Sequence, residues 1–104
     1  MSQLPNESML DEKYNKLRAL LAEQSFPHLY IHKFIGQRTD AFLASMDRLE
    51  EKFPKVKRIS TRESAGQTKP VYLACTYELL ATNVEEIIDL LKATALMSDL
   101  RVIL

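Results

Sequence analysis

"FPHLYIHKFIG", residues 26–36, decides how the rest of the chain is read. His28 and His32 stand four apart in an apolar run. On a helix that spacing puts both imidazoles on one face, within reach of one metal ion; on a strand it spreads them along the chain. Pro27 disfavours helix at the residue before it, and Leu29, Tyr30, Ile31, Phe34 and Ile35 are β-prone residues closed by Gly36. The stretch therefore predicts a strand, apolar on both faces and so central in its sheet. Four strand residues span about 13 Å, too far for two imidazoles that must each bring a nitrogen to about 2 Å from one ion. No metal site is predicted here within one chain, while a site shared with a second copy stays open.

Outward from this strand the apolar period changes. Leu10, Tyr14, Leu17 and Leu21 recur on one helical face, with Ser8 as the cap and an end near Pro27. Downstream, Thr39 or Asp40 caps a helix marked by Phe42, Met46, Leu49 and Phe53 and stopped by Pro54. A strand with many charges follows over 56–63, then a hairpin loop over 64–70 carrying Gly66. Val71, Leu73, Cys75, Tyr77 and Leu79 alternate along a second central strand. Thr82 with Glu85, or Asn83 with Glu86, makes a capping-box pattern ahead of Val84, Ile87, Ile88 and Leu91. "DLRVIL" closes the chain as an apolar strand with Leu100, Val102 and Leu104.

A helix followed by the order β-α-β-β-α-β predicts an α+β fold: a ferredoxin-like βαββαβ sandwich, with a four-stranded antiparallel sheet and two helices on one face. The helix within residues 1–24 is an addition to the domain of 25–104. In strand order 4-1-3-2 the first and third strands are central, which matches their apolar content, and the charged second strand is an edge. The fourth strand is an unusually apolar edge, to be covered by the N-terminal helix or by another subunit.

Composition bounds the partners. The chain has 104 residues, 46% of them hydrophobic, with 14 basic against 14 acidic residues. No overall positive field favours nucleic acid or an anionic membrane. No run of apolar residues is long enough to span a bilayer, and the N-terminus does not read as an export signal. The lone Cys75 excludes an intrachain disulfide and fits a reducing cytoplasm. Its place between Leu73 and Tyr77 reads as a small core residue rather than a nucleophile. Arg38 follows the first strand, but no asparagine is placed to partner it in acyl-phosphate chemistry, since Asn83 is spent on a helix cap. No enzyme activity and no cofactor are predicted.

One charge run stands out. Lys52, Lys55, Lys57, Arg58, Arg62 and Lys69 face only Glu63 between residues 52 and 69. It reads first as a solvated edge hairpin; as a functional surface, Lys55, Lys57, Arg58 and Arg62 would meet an acidic partner.

The residues Phe26, Pro27, Lys33 and Gly36, with "LLATNVEEIIDLL" and "LRVIL", including Ala81-Thr82 and Arg101, resemble the YbeD-like family of small bacterial proteins of unknown function. The resemblance covers about residues 24–104. It implies an ACT-like fold, the kind of regulatory module that pairs and holds a small ligand between subunits. In such a fold the loop after the first strand, here Gly36, Gln37, Arg38 and Thr39, is where a ligand carboxylate would meet backbone N–H groups. Gly36 read alone is equally explained by turn geometry. Two functions follow as expectations: a non-catalytic regulatory module sensing a small metabolite in an ACT-like homodimer, or a protein-interaction adaptor. The adaptor would use the basic hairpin or the open sheet face, placed on the Tyr30 and His32 side.

Overall fold

The computed structural model describes residues 7–64 and 70–104, with the side chains of residues 7–11 left aside. Seven elements follow one another: α1 (Glu7–Leu21), β1 (His28–Gln37), α2 (Asp40–Lys52), β2 (Lys57–Glu63), β3 (Tyr72–Ala81), α3 (Val84–Ala95) and β4 (Leu100–Ile103). The strands form one antiparallel sheet in the order β2-β3-β1-β4. The two strands richest in apolar residues are central, and charged β2 is an edge exposed along its whole length. The predicted hairpin loop with Gly66, and Lys69 of the basic run, lie outside the described residues.

Side-chain alternation sorts the central strands into two faces. Phe34 pairs with Cys75 and His32 with Tyr77 on the face covered by α2 and α3. Phe42 and Met46 from α2 and Ile87, Ile88 and Leu90 from α3 complete this core, all with 0% exposure. Arg18 of α1 bonds Glu85 of α3 at 2.9 Å, and Tyr14, Leu17 and Leu21 pack onto the core beside α3.

The caps explain where the helices start. The Thr39 hydroxyl accepts from the Phe42 N–H at 3.1 Å, and Asn83 Oδ1 accepts from the Glu86 N–H at 3.1 Å. Of the alternatives weighed from sequence, Thr39 and the Asn83–Glu86 pair are the ones used, although the Glu86 carboxylate reaches back to Thr82 rather than to Asn83.

Three expectations need correction, and the register of β4 adds a finding. Helix α1 begins at Glu7, so Ser8 lies inside it and is not its N-cap. The helix ends at Leu21, several residues before Pro27. Gly36 does not close β1; the strand runs on to Gln37, with Gly36 paired to Leu73. In β4 the register shifts opposite Ile35 and Gly36, so Leu100 and Ile103 face the helices while Val102 turns to the far side with Ile35.

Candidate functional site

The four residues of the predicted ligand loop, Gly36, Gln37, Arg38 and Thr39, have their hydrogen-bonding groups taken up by their own chain. Gly36 and Gln37 are strand residues, and only Arg38 and Thr39 bridge to α2. The Gln37 N–H donates to Asp99 O at 2.9 Å, Arg38 N–H to Val71 O at 2.8 Å and Thr39 N–H to Gln37 O at 2.8 Å. The Thr39 hydroxyl accepts from Phe42 N–H and donates to Asp99 Oδ2 at 2.5 Å, so the Asp99 carboxylate sits beside the α2 N-terminus. Asp99 has φ 59°, a left-handed conformation that aspartate tolerates better than most residues. The side chains are committed too. Arg38 pairs with Glu63 at 2.7 Å, and Arg101 donates to Gln37 Oε1 at 2.6 Å.

Gly36 serves packing rather than ligand approach. A Cβ built there would lie 2.1 Å from the Phe42 ring, so the aromatic edge fills the space a side chain would need. The glycine is what lets α2 come down onto β1.

The basic run is largely neutralised where it meets the helices. Lys55 bonds Glu86 at 2.7 Å, and Arg58 bonds Glu50 with Asp47 at 3.7 Å. Tyr77 donates its hydroxyl to the same Glu50 oxygen at 2.8 Å, and the Arg58 guanidinium lies over the Tyr77 ring. Burial and the Glu50 carboxylate push the Tyr77 phenol up, so it stays a neutral donor that fastens the β2–β3 pair to α2. Lys57 and Arg62 make no ion pair among the described residues.

Neither histidine has the surroundings first asked of it. Both are on β1, where His28 meets Phe26 edge-on and His32 is 1% exposed, close to the rings of Tyr30 and Phe34. Placing His32 and Tyr30 on the open face is thus overturned: they face the helices. The Thr94 hydroxyl donates to Leu90 O at 2.8 Å, so its oxygen accepts from His32 Nε2–H at 2.9 Å. That leaves Nδ1 unprotonated, buried and without a hydrogen-bond partner among the described residues. Burial holds the imidazole down to about 4, neutral at pH 7. Among the described residues no group of three or more His, Cys, Asp or Glu side chains could hold a metal ion. Cys75 is 1% exposed with its Sγ 3.8 Å from Met46 Sδ, and burial pushes the thiol up to about 11. It carries almost no thiolate at neutral pH.

What remains free is the outer sheet face. Leu29, Ile31 and Leu80 are 53%, 46% and 53% exposed, and Val102 is 43% exposed. By register Leu29 lies opposite Leu80, Ile31 opposite Glu78, Lys33 opposite Thr76 and Ile35 between Ala74 and Val102. No described helix covers this side. Sequence reading ranked the strands correctly but missed which residues of β1 point outward, because its two faces are equally apolar.

Comparison of the chain with protein-family models, with curated proteins and with solved structures finds no significant match. Among the described residues no helix is long and apolar enough to cross a membrane.

Proposed function

We propose that this chain is a non-catalytic regulatory module of the ferredoxin-like, ACT-like kind, which works as a homodimer responsive to a small metabolite. The observation that carries the proposal is the uncovered outer face with Leu29, Ile31, Ile35, Leu80 and Val102. Four strands about 4.8 Å apart and some seven residues long give a face on the order of 500 Å². Two such faces together reach about the 1,000 Å² that a specific interface needs. Lys33, Lys57 and Arg62 stand on or beside this face with Glu78, so it offers both signs of charge to a second copy. The βαββαβ order and the strand order β2-β3-β1-β4 support the fold assignment, and the resemblance of residues 24–104 to the YbeD-like family belongs to the same proposal.

Light-scattering mass measured across a dilution series, with and without amino acids and organic acids, tests this reading. The expected result is twice the chain mass, reduced to the monomer by Ile31→Lys with Leu80→Lys. A wild-type monomer at every concentration, indifferent to every compound, overturns it.

A second reading is favoured by Lys57 and Arg62, which have no ion pair among the described residues: an adaptor that docks an acidic partner along the β2 edge. Lys57→Glu with Arg62→Glu is the informative charge reversal, because Lys55 and Arg58 are held by α3 and α2. Equal recovery of partners by the wild type and this variant removes that edge from consideration.

A further inference from the structure

Between α1 and β4 runs an open groove of about 890 Å³, within the size range of small-molecule sites. Leu17, Leu91 and Ile103 give it an apolar lining. Among the described residues its charged side chains are Lys13 and Arg101, with no aspartate or glutamate in the lining. By contrast, the cations at Arg18, Arg38, Lys55 and Arg58 are each paired with a carboxylate.

Two phenols sharpen the reading. Tyr14 and Tyr30 both line the groove, and Tyr14 is only 8% exposed. Neither hydroxyl has a hydrogen-bond partner among the described residues and neither is sealed from solvent, so both open onto the groove as donors. Burial raises both pKa values, which keeps the hydroxyls as neutral donors. The Lys13 ammonium stands 5.7 Å above the Tyr14 ring, bringing a positive charge to the same end. Arg101 gives one hydrogen bond to the neutral Gln37 amide and keeps its charge, so the groove carries two cations, the Lys13 ammonium and the Arg101 guanidinium.

We infer that the groove between α1 and β4 is a binding site for an apolar monocarboxylate. Its head group meets Lys13 and the hydroxyls of Tyr14 and Tyr30, and its hydrocarbon body lies along Leu17, Leu91 and Ile103. A carboxylate head group matches the positive charge of Lys13 and Arg101, and the apolar lining rewards a hydrocarbon body over a polar one. The site stands whether or not the outer sheet faces pair.

Decanoate below its micelle concentration, titrated into the ¹⁵N-labelled full chain, tests the site. Saturable amide shifts are expected around Tyr14, Tyr30 and Ile103. Lys13→Glu and, separately, replacement of the probe by decan-1-ol should each weaken binding about tenfold or more, the worth of one charge-assisted hydrogen bond. Lys13 is exposed, so the variant keeps the fold, and an unchanged solution mass separates loss of this site from loss of pairing. Absence of saturable shifts overturns the proposal. So does equal binding of the alcohol, indifference to Lys13→Glu, or shifts confined to Leu29, Ile31 and Leu80. Co-sedimentation with phosphatidylglycerol vesicles without binding of monomeric decanoate also overturns it, and would make the groove a lipid-surface contact.

Discussion

Tyr30, His32, Phe34 and Gly36 on one side of β1 alternate with Leu29, Ile31, Lys33 and Ile35 on the other. The two sets are nearly matched in apolar content, yet their surroundings are opposites. On the first side a phenylalanine is sealed between Tyr77 and Phe42, and an imidazole is kept neutral. On the second, leucine and isoleucine remain about half exposed, with no described element above them. Equal hydrophobicity therefore does not decide which face becomes core. The capped helices decide it, because both descend on the side where Gly36 leaves room for Phe42.

The largest break in this contrast comes from emptying the sealed side. Phe34 is fully buried and contacts His32, Phe42 and Tyr77 ring to ring. Phe34→Ala should cost about 3–5 kcal/mol, the range for a buried aromatic truncated in a packed core. Urea unfolding followed by circular dichroism gives this as a fall in midpoint with unchanged slope. A loss no larger than that of an exposed substitution would mean the helices do not seal this face.

The next effect is a pH dependence that only the sealed side can show. His32 is held neutral, down to about 4 from an ordinary 6.5. Between those values the unfolded chain binds more protons than the folded one, so stability rises with pH through this window. The contribution is complete above about pH 6.5, declines as pH falls toward 4 and loses nothing further below it. The full separation corresponds to about 3 kcal/mol. Unfolding free energies measured from pH 4.5 to 7.5 should drop toward acid in the wild type and drop less in His32→Leu, since carboxylates common to both cancel in the difference. Parallel curves would place at position 32 a solvated imidazole that titrates alike in the folded and unfolded chain.

The legible part of the fold was its one-dimensional order. Pro27 and Pro54, the caps at Thr39 and Asn83, and the ranking of strands by charge carried the element sequence and placed β1 and β3 at the centre. Parity was not legible, because β1 has apolar residues at both odd and even positions; only contact with α2 and α3 distinguishes them. Gly36 was misread for a related reason, since a glycine before a helix cap looks like a loop until the Phe42 ring is seen against it. Around Gly36, Gln37, Arg38 and Thr39, Asp99 and Arg101, about sixty residues later in the chain, take up hydrogen bonds of Gln37 and Thr39. The groove between α1 and β4 was hidden because Tyr14 and Tyr30 were each read only as members of a local apolar pattern. Nothing in either segment says that the two hydroxyls share one groove.

The smallest effect on stability belongs to the outer face, and its smallness is informative. Ile31→Lys and Leu80→Lys replace side chains about half exposed in the monomer, so each should change monomer stability by no more than about 0.5 kcal/mol. If the faces pair, the apparent stability of the wild type rises with protein concentration through mass action, while that of the double variant stays flat. Denaturation midpoints measured over a wide range of concentration therefore separate the two sides of β1 without any knowledge of a ligand. A concentration-independent wild type would leave the exposed leucines and isoleucines without a second copy to cover them and would favour a different protein on that face. A large loss in the variants even at high dilution would instead mean that the outer face is packed within one chain. The contrast between the two faces would then be one of degree.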